Sequence, residues 1–277
     1  MDVGAALAVL AAYYLLFAVG WRWILAALGI RVGYPLALQA EMASMLAKYV
    51  PGAIWTPLAR IVWLRRAGGV TASSVVFGSI MLEAGLSAIS GVLVFTVSLL
   101  WVDSVDAPVA PLLAFAFVIA VLVHPRVFRA LARLLFRRFG WEEPASLAYR
   151  TMLALLAYYS FTWLVGGAAL FFLLRAVGGD PSLAEIPYLG GTAAVGAIVA
   201  VLAVFAPSGL GVREASMYGL LLAVASEGVA LGATVLNRLA ISLVEAALLG
   251  VGVLLRRGEA AAEDRVWVEP QPARRAP

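Results

Sequence analysis

The sequence predicts an all-α integral membrane protein, a polytopic helical bundle with two broken-helix hairpins arranged as an inverted repeat. Three observations predict it. Of 277 residues, 64% are apolar and 13% charged, against roughly 25% charged in an average soluble domain. Several apolar stretches reach the length of about 20 residues that a helix needs to cross a bilayer. Two further apolar regions are interrupted by proline and glycine at corresponding places in the two halves of the chain. The first two observations exclude a cytosolic globular protein, and no polar stretch is long enough for a second folded domain.

Taken in order, the first span is expected at 3 to 20. It follows Asp2 with no basic segment and no small-residue cleavage site, so it is expected to stay as a span rather than act as a removable leader. Residues 35 to 66 form a hairpin of two short helices divided at Tyr49-Val50-Pro51-Gly52. Proline removes a helical donor and collides with the preceding turn, and backbone freed at membrane depth must be buried in protein or face water. Spans at 74 to 101 and 109 to 123 complete the first half.

The stretch 126 to 139 sets Arg126, Arg129, Arg133 and Arg137 on one face and Val127, Phe128, Leu131, Leu134 and Leu135 largely opposite. Such an amphipathic helix is expected in the cytoplasmic interface, against anionic headgroups. A span at 149 to 174, a second hairpin over 187 to 226 divided at Pro207-Ser208-Gly209-Leu210-Gly211, and a span at 229 to 255 make the second half. The transmembrane domain is thus 1–257, with halves 1–123 and 149–257. Residues 258–277, rich in proline, alanine and charge, form an expected disordered cytoplasmic tail.

Orientation follows from the basic residues. The net charge of +4 rests on 19 arginines and one lysine, and this topology puts sixteen of the arginines on one side and Arg175 alone on the other. The opposite side carries Asp2, Asp103, Asp106, Asp180, Glu185 and Glu227. Basic loops stay cytoplasmic, so the amino terminus is expected outside the cytoplasmic membrane and the carboxyl terminus inside.

Enzyme chemistry finds little foothold. The chain holds no cysteine and a single histidine, His124, beside Pro125. It shows no phosphate-binding glycine loop, metal-ligand cluster or nucleophile triad, so neither a cofactor, a metal nor a nucleic-acid partner is expected. The exception is Asp103 and Asp106 in an external loop, where a membrane glycosyltransferase using a lipid-phosphate donor can carry catalytic acids. A solvated acidic loop explains the same pair.

Charge inside the apolar segments is the stronger signal: Glu41, Lys48, Glu83, Arg213, Glu214, Arg238 and Glu245, with Arg60 near the boundary. Each costs about 2.5 to 3.5 kcal/mol at the bilayer centre on insertion scales, so such groups face a partner or a cavity. Glu41, Ser44 and Lys48 share a helix face, as do Arg238, Ser242 and Glu245, while Ser79, Glu83, Ser87 and Ser90 form a polar stripe. Four bases and four acids suggest mutual pairing, which fits both a substrate site and pairs that only fix helix register.

The breaks separate the two readings. A helix restarting after Pro207, with Gly209 and Gly211, presents free N–H groups and a positive dipole end near Arg213, a natural seat for a phosphate. At the first break, Pro51-Gly52, Thr56 is placed to cap a helix beginning at Pro57, with Arg60 one turn in. Paired interrupted helices in two halves point to a transporter's central site. The two tips are expected to meet at mid-depth, Pro51 within about 15 Å of Pro207, with Arg60, Glu83, Arg213 and Glu245 lining one cavity.

The motifs Lys48-Tyr-Val-Pro-Gly-Ala-Ile-Trp55 and Ala206-Pro-Ser-Gly-Leu-Gly-Val-Arg-Glu214 resemble the membrane region of the lysylphosphatidylglycerol synthase and flippase family, over nearly the whole chain up to about Arg257. The resemblance implies movement of a lipid with a charged headgroup between leaflets and an Arg-Glu site at the second break. Two departures matter. The soluble aminoacyl-transferase domain is absent, so aminoacylation is not expected here, and Ala53-Ile54-Trp55-Thr56 replaces the Gly-Gly-Asp element that follows the first Pro-Gly in many members. Phospholipids, glycolipids and polyprenyl-phosphate-linked sugars all stay open as substrates. The expected protein is therefore a flippase. Its partners are membrane lipids, with a separate synthase as a further candidate. The alternatives are a glycosyltransferase or a non-catalytic partner of a lipid or glycan synthase. No ATP-binding motif is present, so energy is expected from a gradient or from downhill lipid flow.

Overall fold

A computed structural model describes residues 1–48, 50, 54–100, 130, 133, 147–203 and 206–263. Among these residues the structure is helical throughout: α1 (Asp2–Ala27), α2 (Tyr34–Ala47), α3 (Trp55–Gly68), α4 (Ser73–Ser98), α5 (Tyr149–Ala176), α6 (Ile186–Leu202), α7 (Val212–Leu221) and α8 (Glu227–Glu263). A 3-10 turn at Leu183–Glu185 leads into α6, and another at Pro207–Gly209 divides α6 from α7. Five segments are long and apolar enough to cross a membrane: Asp2–Ala27, Ser73–Ser98, Tyr149–Ala176, Leu183–Leu202 and Glu227–Gly252. The chain is a multi-pass helical membrane protein. The span expected at 109 to 123, the break residues Pro51 and Gly52, Asp103, Asp106, His124 and, apart from Ala130 and Arg133, the stretch 126 to 139 lie outside the described residues.

Several boundaries differ from the sequence expectation for physical reasons. Helix α1 does not stop at Gly20 but continues through Trp21, Ile24 and Leu25, all fully buried. Gly20 is a contact point rather than a stop, since a Cβ there would lie 2.7 Å from the Tyr159 hydroxyl. Exposed Arg22 is accommodated by donating from Nε to the Val32 carbonyl at 3.0 Å. At α3 the helix begins at Trp55, and Thr56 does not cap it. Pro57 sits in the third position, where its missing N–H is one of the four that a helix leaves unused anyway. Helix α8 runs past Arg257 to Glu263, because Glu259-Ala-Ala-Ala-Glu263 is a run of strong helix formers.

The two hairpins are not alike. The arms α2 and α3 have 14 residues each, about 21 Å at 1.5 Å per residue, which is short of the roughly 30 Å hydrocarbon core. In the second hairpin α7 is shorter still at 10 residues, whereas Leu183–Leu202 is long and apolar enough to cross.

Small residues seat this long arm. An added Cβ on Gly190 would lie 2.4 Å from the Trp163 carbonyl oxygen, on Gly167 2.3 Å from the Ile186 carbonyl oxygen, on Gly191 2.5 Å from Phe95 Cα and on Gly91 2.4 Å from Ala194 Cβ. Helix α6 thus lies backbone-to-backbone against α4 and α5, the close approach that small residues permit between membrane helices. The largest core gathers α1, α5, α6, α7 and α8 around Leu10, Leu170, Tyr188, Met217 and Ile241; a second joins α1 to α4 through Trp21, Leu25, Ala37, Leu64 and Ile80.

The neighbour relations have a regularity. Helix α2 packs on α3, α1 and α8, and α6 packs on α7, α5 and α4. Helix α1 touches α4, α5 and α8; α5 touches α8, α1 and α4; α3 touches α4, and α7 touches α8. Exchanging α1 with α5, α2 with α6, α3 with α7 and α4 with α8 maps this set onto itself. The exchanged helices α1 and α5 run antiparallel, since Asp2 at the start of one pairs with Arg175 at the end of the other at 3.8 Å.

Candidate functional site

Arg60, on the second turn of α3, reaches across the first hairpin. Its Nη1 lies 2.5 Å from Glu83 Oε2 on α4 and 3.4 Å from Glu41 Oε1 on α2. Its Nε donates to Ser44 Oγ at 3.2 Å, and the guanidinium sits 4.7 Å from the centre of the Trp21 ring on α1. Tyr159 of α5 donates from its hydroxyl to Glu83 Oε1 at 3.5 Å. Five helices therefore converge on one cation and two carboxylates, with Glu41 2% and Glu83 5% exposed.

A second group lies across α1, the end of α2 and α8. Lys48 pairs with Glu245, and Tyr14 donates to Glu245 Oε1 at 2.7 Å. Beside it, Arg238 of α8 lies 3.5 Å from Glu214 of α7. Glu214 also accepts the Gly211 N–H on Oε2 at 2.7 Å. One donor at the restarted helix is thus already taken from within the chain.

The break itself is tightly wound. Ser208, Gly209 and Gly211 have φ of 54°, 66° and 82°, a left-handed sequence that glycine enters freely and serine does not. Gly209 is required twice over, because a Cβ there would lie 2.2 Å from Ala200 Cβ on α6. The first backbone bond of α7 runs from the Ala215 N–H to the Gly211 carbonyl at 2.9 Å. The N–H groups of Val212, Arg213 and Glu214 therefore precede the helical ladder, as the first donors of any helix do.

Arg213 differs from the other intramembrane cations. Among the described residues it has no ion-pair partner, and its Nε is buried without a hydrogen bond. Its stem passes over α6, where a Cβ on Gly196 would be 3.5 Å from Arg213 Cγ, and its charge is within reach of Tyr13, Tyr14 and Lys48. All four intramembrane acids are paired, to Arg60, Lys48 and Arg238. The unpaired positive charge of Arg213 sits where the α7 dipole adds to it.

The structure thus brings the eight expected residues into two linked groups. Arg60, Glu41 and Glu83 form one; Lys48, Glu245, Arg213, Glu214 and Arg238 form the other, with Tyr13 in reach of Arg213, Glu41 and Glu83 together. Pro51 and its distance to Pro207 lie outside the described residues, but Lys48, three positions before Pro51, is in electrostatic reach of Arg213 and Arg238. Ser242, expected on the face of Arg238 and Glu245, is exposed instead. The serine stripe of α4 is mostly a packing seam: Ser79 accepts from Trp21 Nε1 at 3.0 Å, and Ser90 donates to the Leu156 carbonyl at 3.0 Å.

Sequence reasoning missed Tyr13, Tyr14, Trp21 and Tyr159. Their signal was faint but present, since tyrosine and tryptophan favour membrane interfaces and these lie well inside long apolar helices.

A family model described as "Lysylphosphatidylglycerol synthase TM region" matches residues 1–250. A comparison with curated proteins gave no match.

Proposed function

Because the chain belongs to the lysylphosphatidylglycerol synthase transmembrane-region family, we propose that it is a lipid transporter, a flippase, moving a lipid with a phosphate-containing headgroup between leaflets. The observation that carries this reading is Arg213. A cation at membrane depth without a carboxylate among the described residues, at the start of a restarted helix, is built to meet an anion. The planar fork of arginine suits two phosphate oxygens at once. Lys48, Glu245, Glu214 and Arg238 then hold the surrounding backbone and orient the headgroup.

The neighbour pattern supports the transporter reading. Two four-helix units exchange onto one another, and their first helices run in opposite directions, as inverted repeats do around a central site. In this reading the amino terminus is outside the cytoplasmic membrane, the first hairpin opens to the cytoplasm and the second to the exterior. The chain itself catalyses no covalent chemistry and needs no cofactor.

The test is lipid transfer in proteoliposomes carrying fluorescent phosphatidylglycerol or phosphatidylethanolamine, read by quenching from the outer face. Arg213→Ala is expected to lose transfer while keeping expression and thermal stability, and Arg213→Lys to retain part of it. Full transfer by Arg213→Ala would remove this residue from the site; equal loss of transfer and stability would make it structural.

A further inference from the structure

Glu41 and Glu83 come from different helices, yet both are buried against the same nitrogen of Arg60. Two ionised carboxylates beside one cation leave a net negative charge in a low-dielectric interior, which one proton on the pair cancels. A single guanidinium, Arg60, serves both, at 3.4 and 2.5 Å. Glu41 is 2% exposed, and its Oε1 receives no hydrogen bond. Tyr159 donates to Glu83 Oε1 at 3.5 Å, and Tyr158 of α5, Tyr13 of α1 and Tyr34 of α2 are in electrostatic reach of the pair. The charges of α8 are engaged elsewhere, with Lys48 and Glu214.

We propose that the Glu41–Glu83 pair binds one transferable proton and that the protein moves this proton together with its anionic lipid. The inference rests on the lipid-transport reading and supplies its energy source. With every group ionised, the four intramembrane bases and four acids sum to zero. Binding a singly charged lipid phosphate at Arg213 makes the sum −1, and uptake of one proton by the pair restores zero. Net charge in a low-dielectric interior is costly, so the neutral states are the ones that can change conformation: empty and deprotonated, or loaded with lipid and proton. In loading, one proton passes from water to a carboxylate oxygen and no other bond changes. Tyr13 is in electrostatic reach of Arg213, Glu41 and Glu83 together.

The experiment uses the full chain in vesicles with trace fluorescent phosphatidylglycerol and an enclosed pH dye. With one proton carried per lipid, a gradient of one pH unit supports up to about a tenfold lipid asymmetry, and lipid movement in turn changes the internal pH. Glu41→Gln and Glu83→Gln, each checked for wild-type melting behaviour, are expected to lose the response to the gradient at whatever rate they transfer. Wild-type transfer that ignores the gradient and leaves the dye unchanged would overturn the coupling and leave the lipid reading intact. No transfer by the wild type under any gradient would sink both. Infrared difference spectra add a direct readout: a protonated-carboxyl band is expected to appear in the wild type at neutral pH when phosphatidylglycerol is added and not to appear in Glu41→Gln, and its failure to appear in the wild type would refute the shared proton.

Discussion

Replacing Arg60 by methionine tests whether the first charge group is a buried unit. The change keeps much of the stem volume but removes both carboxylate partners at once, the bond to Ser44 and the contact with the Trp21 ring. The side chains involved are 13%, 6% and 2% exposed for Arg60, Glu83 and Glu41. Breaking a buried pair by removing one partner costs about 3 to 5 kcal/mol, because the other charge stays uncompensated, whereas an exposed pair costs about 0 to 1 kcal/mol. The degree of burial decides for the larger figure. Combining Arg60→Met with Glu83→Gln removes one of the two stranded carboxylates as well and is expected to restore part of the loss, so that the two changes are not additive. The assay is reversible denaturant unfolding of the purified protein in micelles, followed by tryptophan fluorescence. A loss below about 1 kcal/mol for the single variant, or strict additivity in the double, would refute the reasoning.

Gly190→Ala is expected to destabilise or displace α6, since its Cβ meets the Trp163 carbonyl oxygen at 2.4 Å and backbone cannot step aside; a melting temperature equal to wild type would contradict this. Tyr14→Phe removes the hydroxyl that donates to Glu245 at 2.7 Å and is expected to cost about 1.5 to 3 kcal/mol, as hydrogen bonds to charged groups do, measured by the same unfolding titration. Cysteines placed at Ser104 and Ser182 are expected to react with an impermeant reagent in intact cells while one at Gly140 does not, and the reverse pattern would invert the topology.

The helical class, the two hairpins and the identity of the charged residues were legible because membrane depth makes each charge and each proline expensive. Partner choice was not. Spacing along one helix says which residues share a face, as with Glu41 and Ser44, but not that Arg60 would serve two carboxylates or that Lys48 would reach Glu245, 197 positions away. Those contacts are set by how helices turn about their own axes, which the seats at Gly20, Gly190 and Gly191 decide. Helix ends were misjudged where a charged residue suggested a boundary: Arg22 stays helical by bonding the Val32 carbonyl, and Arg257 lies within α8.

The seating of α6 has a mechanical consequence. A helix held by backbone contacts under 3 Å to hypothetical side chains on both flanks cannot slide or rotate without opening voids that lipid tails are too large to fill. Helices α4, α5 and α6 are therefore expected to move as one body. Across the bundle the exchanged contact is slacker, since a Cβ added on Gly252 of α8 would lie 3.9 Å from Met42 Cβ on α2. Motion is therefore expected in α2, α3 and α7, the three short arms, with the charges they carry shifting against a fixed Glu83 and Tyr159.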